Sequence, residues 1–463
     1  MNMPKCTRTM IFAAVFTALV LLGTCNDPIT DLYNKAKSGA GSGLTGLLTD
    51  EQIIRNAVIA AAKLPGTPKP VSITGIKLLT GTLDPGTAPG PEALMNALYD
   101  EIHRRAAAGD DFDLDLSGCS GITDWNNNDY GMSGNAALGK ARVTGLTLPD
   151  SVTAISGGFT GPAYDVSTSL WQPVLGTGYY QDPGFPGVGA RITAQDNSVI
   201  RRIEGLNVTD IGTLGTWTDG AGDIVPGVGF AVNANLESVD FPKLQSIPEG
   251  AFAGCTGLVS MNLPQVTDIG YQAFAYCTSL ISVSFTKLAT LTGRGQFSYC
   301  TGLSAVSFPN FSSAISKSAF YKCSSLESVH IPKASSLGIG SFYDCINLQS
   351  VVAPKVTKID ENAFQECAAL RSLYFPELSS IESPTFLGCS SIDSLYLGPT
   401  APTITGYILL GGNYPAADSI LVYVPAGFTC PGYASPAAWL TEVNQYYFAN
   451  SLNETAEFQI YTP

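Results

Sequence analysis

Between Leu236 and Pro399 the apolar positions recur in blocks of fixed length. Seven phenylalanines, Phe252, Phe274, Phe297, Phe320, Phe342, Phe364 and Phe386, are spaced 22 or 23 residues apart. Three residues after each stands a cysteine (Cys255, Cys277, Cys300, Cys323, Cys345, Cys367, Cys389), and three further on a branched aliphatic, from Leu258 to Ile392. Within the block Leu236–Cys255, LESVDFPKLQSIPEGAFAGC, the apolar Val239 and Phe241 alternate with Ser238 and Asp240. That alternation predicts a short half-buried strand. Pro242 stops it, because proline has no N–H to give to a ladder; Pro264, Pro309, Pro332, Pro354 and Pro376 repeat the stop. Leu244 and Ile247 then turn inward on a return side, and Ala251-Phe252 closes the coil with a bulky plug. One block cannot bury this apolar set alone, so the copies must stack on one another as a solenoid.

Among known repeats with periods of about 20–50 residues the leucine-rich kind is the one that falls in the low twenties. The AFxxCxxL runs, such as Ala273-Phe274-Ala275-Tyr276-Cys277 followed by Leu280, and the VxFP-type strand ends resemble the BspA-like leucine-rich repeats of bacterial surface proteins, also called the Treponema pallidum type. Asp113-Leu114-Asp115-Leu116-Ser117-Gly118-Cys119 is similar to the opening repeat of such proteins, and Val143–Phe159 to a second; Ile203–Ile211 is a degenerate third. The expected fold is a β-rich leucine-rich-repeat solenoid, right-handed, with 22–23-residue repeats and a small α-helical N-terminal cap.

The remaining chain is organised around that core. Residues 1–25 read as an export signal: Lys5 and Arg8, then an apolar run Met10–Leu22 too short to span a bilayer. Leu22-Gly23-Thr24-Cys25 resembles a lipobox with Cys25 as the lipidated residue, although threonine precedes the cysteine; an ordinary cleaved signal is the alternative. Residues 26–49 read as a flexible tether and 50–111 as the helical cap. In the cap, Asp50–Leu64 carries Ile53, Ile54, Ala57, Val58 and Ala61 at helical spacing, Ser72–Leu79 suits a strand, and Pro91–Ala108 is a helix with Leu94, Leu98 and Ile102 on one face. Degenerate repeats with insertions fill 112–235, regular repeats 236–402, and a closing unit 403–463 with Ile420–Pro425 as its final strand. Trp439, Tyr446 and Tyr447 cover the last coil, as the resemblance implies.

Composition narrows the function. A net charge of −14 and a pI near 4.5 argue against nucleic acid and anionic membrane surfaces as partners. The seven repeat cysteines share one equivalent position, which suits a ladder of buried thiols; a disulfide among them is the alternative. Cys119 belongs to a related turn, and Cys430 has no assignment. No CxxC or Cys/His spacing calls for a metal, and no GxSxG, HExxH or phosphate loop is present, so neither an enzyme nor a cofactor is expected. His103 and His330 read as surface residues, and Asp111, Asp113 and Asp115 as strand alternation. Asp124, Asn126, Asn128 and Asp129 form an oxygen-rich turn, with calcium as a minor alternative.

What is left is surface. Outward positions align as a serine column (Ser238, Ser260, Ser282, Ala305, Ser328, Ser350, Ser372, Ser394) beside one that turns aromatic (Asp240, Asn262, Ser284, Ser307, His330, Val352, Tyr374, Tyr396). A row containing Lys243, Lys287, Lys333 and Lys355 edges them. Candidate ligand-binding residues are Tyr374, Tyr396, His330, Lys333 and Lys355, together with Tyr179 and Tyr180 in the aromatic insertion Tyr164–Asn197. The resemblance implies a cell-surface adhesin recognising a host matrix protein, a glycan or other cells; the alternative is an envelope or biofilm scaffold.

Overall fold

The computed structural model describes residues 50–74, 76, 91–126, 134–157, 199–212, 217–218, 224–225, 230–231, 233–382, 384–405, 421–439 and 457–461. The chain divides into two units, Met1–Ile53 and Ile54–Pro463, and the strands of the solenoid all belong to the second.

Each coil contributes two strands to two separate faces. The front strands form three successive parallel sheets. The first holds Lys69–Ser72, Phe112–Asp115, Val143–Thr147, Arg202–Glu204, Ser238–Asp240 and Ser260–Asn262 in that order. The second runs from Ser282–Ser284 through Ala305–Ser307 and Ser328–His330 to Ser350–Val352, and the third from Ser372–Phe375 through Ser394–Leu397 and Leu421–Pro425 to Glu457–Tyr461. The return strands pair likewise, from Ser246–Ile247 to Thr403–Thr405. The burial of Val283, Val329 and Leu373 between exposed neighbours follows from the period-two pattern.

On the third side the chain turns around the plug phenylalanine, and here the coils are joined through the core. The amide of Phe274 donates to Gln296 O at 2.8 Å, that of Phe297 to Ala319 O at 2.8 Å and that of Phe320 to Ser341 O at 2.8 Å. The plug rings form one stack of eight, Phe230 through Phe386, with centroids 5.2 to 5.7 Å apart and planes within 9° of parallel. Phe230, one coil upstream of the regular repeats, extends the column, and the buried Asn233 stands where a cysteine would.

The cysteines explain themselves through the same carbonyls. The amide of Cys277 donates to Phe274 O within its own coil (3.2 Å), and the thiol of Cys300 in the next coil donates to that same oxygen (3.1 Å). All seven thiols make this bond, from Cys255 on Phe230 O to Cys389 on Phe364 O. A buried carbonyl has two lone pairs to satisfy, and cysteine supplies a donor on an otherwise apolar side chain small enough for the core. Cys119 does the same in the first coil, its thiol 3.4 Å from Ile73 O. Burial pushes the thiols of Cys255, Cys277, Cys300, Cys323, Cys345 and Cys367 up, Cys300 to about 12.

Several expectations need correction. The strand found beside the expected Ser72–Leu79 is Lys69–Ser72, while residues 75 and 77–79 lie outside the described residues; Pro70 is tolerated because this strand stands at the edge of its sheet. The turn at Asp124 is a strand, Asp124–Asn126, paired with Ala154–Gly157; Asn128 and Asp129 lie outside the described residues. Gly134–Lys140 is a short helix that the apolar pattern did not indicate, and its Gly139 sits against the Tyr99 carbonyl with no room for a β-carbon. Ile420–Pro425 is not the final strand: Leu421–Pro425 pairs with Glu457–Tyr461 beyond it. Trp439 is buried against Phe428, whereas Tyr446 and Tyr447 lie outside the described residues.

At the other end, helix Asp50–Ala62 buries Ile54, Val58 and Ala61, and helix Pro91–Arg105 buries Leu94, Leu98 and Ile102. Burial raises the Glu101 carboxyl, but hydrogen bonds and charge from Arg105 (2.7 Å) and Arg55 (2.8 Å) outweigh it and hold the group below its usual range. In the first sheet Arg202 reaches over the middle strand to Asp113, and register places Gly145 between them.

Three outcomes are expected. Phe320→Ala, in mid-stack, lowers stability in urea unfolding by about 3–5 kcal/mol. Gly145→Ala sets a β-carbon into the Asp113 carboxylate and lowers stability by about 1–3 kcal/mol on the same assay. The thiols from Cys255 to Cys367 make the fold base-sensitive, because only the unfolded chain can ionise them near their ordinary 9.0. Their stabilisation is whole below pH 9 and falls as pH rises toward 12, the folded value at Cys300. All seven repeat cysteines are fully buried and free, so native protein at pH 8 leaves them unreacted toward a thiol reagent, and denatured protein without reductant titrates all of them.

Candidate binding face

The outward side chains of the front strands are set by the buried ones between them. In Ser372–Phe375 the buried Leu373 and Phe375 force Tyr374 outward, and in Ser394–Leu397 the buried Leu395 and Leu397 do the same for Tyr396. The next front strand repeats the device with Val422 and Val424 around Tyr423. Parallel register pairs Tyr374 with Tyr396 and Tyr396 with Tyr423. The Tyr374 and Tyr396 rings are 6.4 Å apart and tilted by 57°; Tyr396 and Tyr423 are stacked at 4.4 Å and 7°.

Upstream, His330 is paired in register with Val352. Val352 is 47% exposed and Tyr374 46%, so the column presents an apolar step where it begins to turn aromatic. A second step, Val259 at 46% and Ile281 at 55% exposed, lies at the strand entries of two earlier coils and gives way to Ser304. The serine column is exposed at Ser328, Ser350 and Ser372, but Ser394 is buried and its hydroxyl donates to Asp393 at 2.8 Å.

The lysines turn sideways, along the solenoid. Lys333 donates to Asn310 of the preceding coil at 2.8 Å, and Lys355 is ion-paired with Glu377 of the next one. Lys287 reaches Gln265, and Lys243 reaches Asn207, in the same manner. Both candidate lysines are exposed, yet their charge is directed at neighbouring coils. Tyr179, Tyr180 and Cys25 lie outside the described residues.

A second aromatic column was not legible in the sequence pattern. Tyr276, Tyr299, Tyr321 and Tyr343 follow the plug by one or two residues, with successive centroids at 4.5, 5.4 and 5.1 Å. Lys322 lies 5.9 and 5.7 Å over Tyr299 and Tyr321 and 3.5 Å from Asp344. Burial raises the Tyr276 and Tyr299 hydroxyls. This column is engaged with itself and with Lys322, and clamps coil to coil. The hint it left was tyrosine beside Phe274, Phe297, Phe320 and Phe342.

Among the described residues no cluster of His, Cys, Asp and Glu is arranged to hold a metal, and no helix is long and apolar enough to cross a membrane.

The model of the BspA type leucine rich repeat region matches residues 227–338 and 313–412, in six copies. Among solved structures the chain is similar to a leucine-rich repeat protein from Bacteroides ovatus, with 18% identity over 76% of this chain and 77% of that one and a TM-score of 0.31. It is also similar to a leucine rich cell surface protein from Faecalibacterium prausnitzii, with 21% identity over 56% of this chain and 79% of that one and a TM-score of 0.31. The T. pallidum leucine rich repeat protein shares 25% identity over 37% of this chain and 78% of its own, with a TM-score of 0.28. No curated protein sequence matches the chain. Residues 227–412, with their buried plug stack and thiol ladder, are BspA-type leucine-rich repeats, and the chain that carries them is a leucine-rich-repeat solenoid.

Proposed function

We propose that this is an exported, cell-surface binding protein, an adhesin, that takes a protein or glycan ligand on its front face. One observation carries the reading: Tyr374, Tyr396 and Tyr423 fall in one outward column of the third front sheet, and Val352, at the equivalent position of the last strand of the second, is with Tyr374 nearly half exposed. Tyrosine suits recognition because it offers a large apolar body with a polar tip and little rotamer entropy to lose. His330 borders the step, and the insertion carrying Tyr179 and Tyr180 is a second candidate contact. The N-terminal sequence, with its export signal and Cys25, supports attachment of the protein to the envelope by lipid.

The test is binding of purified Asn26–Pro463 to a panel of matrix proteins, glycans and bacterial cells, beside a Tyr374→Ala/Tyr396→Ala double variant. Saturable binding weakened at least tenfold in the variant, a loss of about 1.4 kcal/mol or more, is expected. Undiminished binding by the variant moves the site to the Tyr164–Asn197 insertion. Absence of binding to the whole panel overturns the adhesin reading in favour of an envelope scaffold.

A further inference from the structure

The geometry points to a covalent modification: oxidative coupling of Tyr396 and Tyr423 into an intramolecular dityrosine. Coupling needs two phenols held ring to ring, access for an oxidant and a backbone that keeps the pair together. Tyr396 and Tyr423 meet all three conditions. Their rings are stacked at 4.4 Å and 7°, and both are only half-buried. Their strands are locked in register by the buried neighbours Leu395 and Val422.

The other close tyrosine pairs among the described residues each lack a condition. Tyr276 and Tyr299 are as close, at 4.5 Å and 13°, but Tyr276 is 6% exposed and closed to an external oxidant. Tyr374 is well exposed, but its ring lies 6.4 Å from that of Tyr396 and is tilted by 57°. Tyr299 and Tyr321 meet edge to face, and Tyr321 and Tyr343 are 5.1 Å apart and tilted by 31°. The solenoid thus selects one pair, through the register of two adjacent front strands.

The chemistry balances with hydrogen peroxide acting through a haem peroxidase. Each phenol loses one electron and one proton to give a phenoxyl radical. The two radicals join through ring carbons ortho to the hydroxyls, Cε of Tyr396 to Cε of Tyr423. The two hydrogens on those carbons then move to the oxygens, restoring both phenols. Overall two tyrosines and one peroxide give one dityrosine and two waters. The new bond ties the strand Leu421–Pro425 to the coil before it, across a connection that leaves the regular period. It stands independently of what the front face binds.

The experiment treats the purified full-length chain with peroxidase and limiting hydrogen peroxide. Four results are expected together: dityrosine fluorescence, an intact mass lower by two hydrogens, monomeric migration on a denaturing gel and a cross-linked peptide joining Tyr396 to Tyr423. Tyr396→Phe and Tyr423→Phe, which keep the ring stack, each reduce the signal to background, whereas Tyr374→Phe retains it. A higher unfolding midpoint in the oxidised protein, absent from the Phe variants, is the expected consequence. A link mapped to another pair, a link between two chains, or no link where free tyrosine couples under the same conditions overturns the proposal. The map on the unsubstituted protein decides the matter whether or not a variant folds.

Discussion

The bond on which the structure depends is the one accepted by each plug phenylalanine carbonyl. Phe274 O takes the amide of Cys277 within its coil and the thiol of Cys300 from the next. The first bond closes a turn, and the second fixes where the succeeding turn must lie. Backbone groups buried this deeply have no water to fall back on, so a slipped coil would leave a carbonyl under-satisfied in the core. The phenylalanine stack adds dispersion and area along the same axis, but rings alone tolerate sliding. Hydrogen bonds do not. Register along the axis is therefore set from inside, and every outward column inherits it.

That inheritance has a local cost. The residue before each repeat cysteine is left-handed: Gly254 and Gly388 at the ends, with Tyr276, Tyr299, Lys322, Asp344 and Glu366 between them. Glycine fits this conformation freely, while other residues forfeit about 1–2 kcal/mol. The side chains at these positions offset the strain by bonding to one another across coils, as in the Tyr276–Tyr299 stack and the Lys322–Asp344 ion pair. The position is thus strained in isolation and favourable in an array, which is the nearest-neighbour logic of a repeat protein.

The parts legible in sequence are those the core dictates. Phenylalanine, cysteine and leucine recur because each copy meets the same buried environment, and the alternation of Leu373, Tyr374 and Phe375 follows from one buried face. Harder to read were residues whose partner sits in another coil or outside the repeats. Asn233 fills a cysteine position with a different chemistry, the backbone amide of nearby Asn235 donating to its side chain at 3.1 Å. Tyr423 continues the tyrosine column, but 27 residues after Tyr396, counting 423 − 396, it falls outside a 22-residue search. Helix Gly134–Lys140 owes its place to the close approach of Gly139 to Tyr99, and no period announces that contact. Pro70 lies within a strand because that strand stands at the sheet edge, where a missing N–H costs nothing.

Equivalent residues one coil apart are so close that a solenoid surface tends to bond to itself. The lysine row shows this, since like charges in adjacent coils would repel. Lys287 points to Gln265 and Lys333 to Asn310, and the neighbours Lys333 and Lys355 turn to opposite sides. The plug tyrosines bond among themselves and beneath Lys322. A partner meeting either column must first compete with an existing lateral contact, which subtracts from its affinity. At Val352 and Tyr374 the lateral neighbours differ in kind, histidine beside valine and valine ahead of tyrosine, and nearly half of each side chain stays in water. Apolar surface left wet on a rigid frame is where a partner gains most by excluding solvent. The proposed contact surface lies at that step, where the outward column changes from serine and histidine to valine and tyrosine while the buried positions go on repeating.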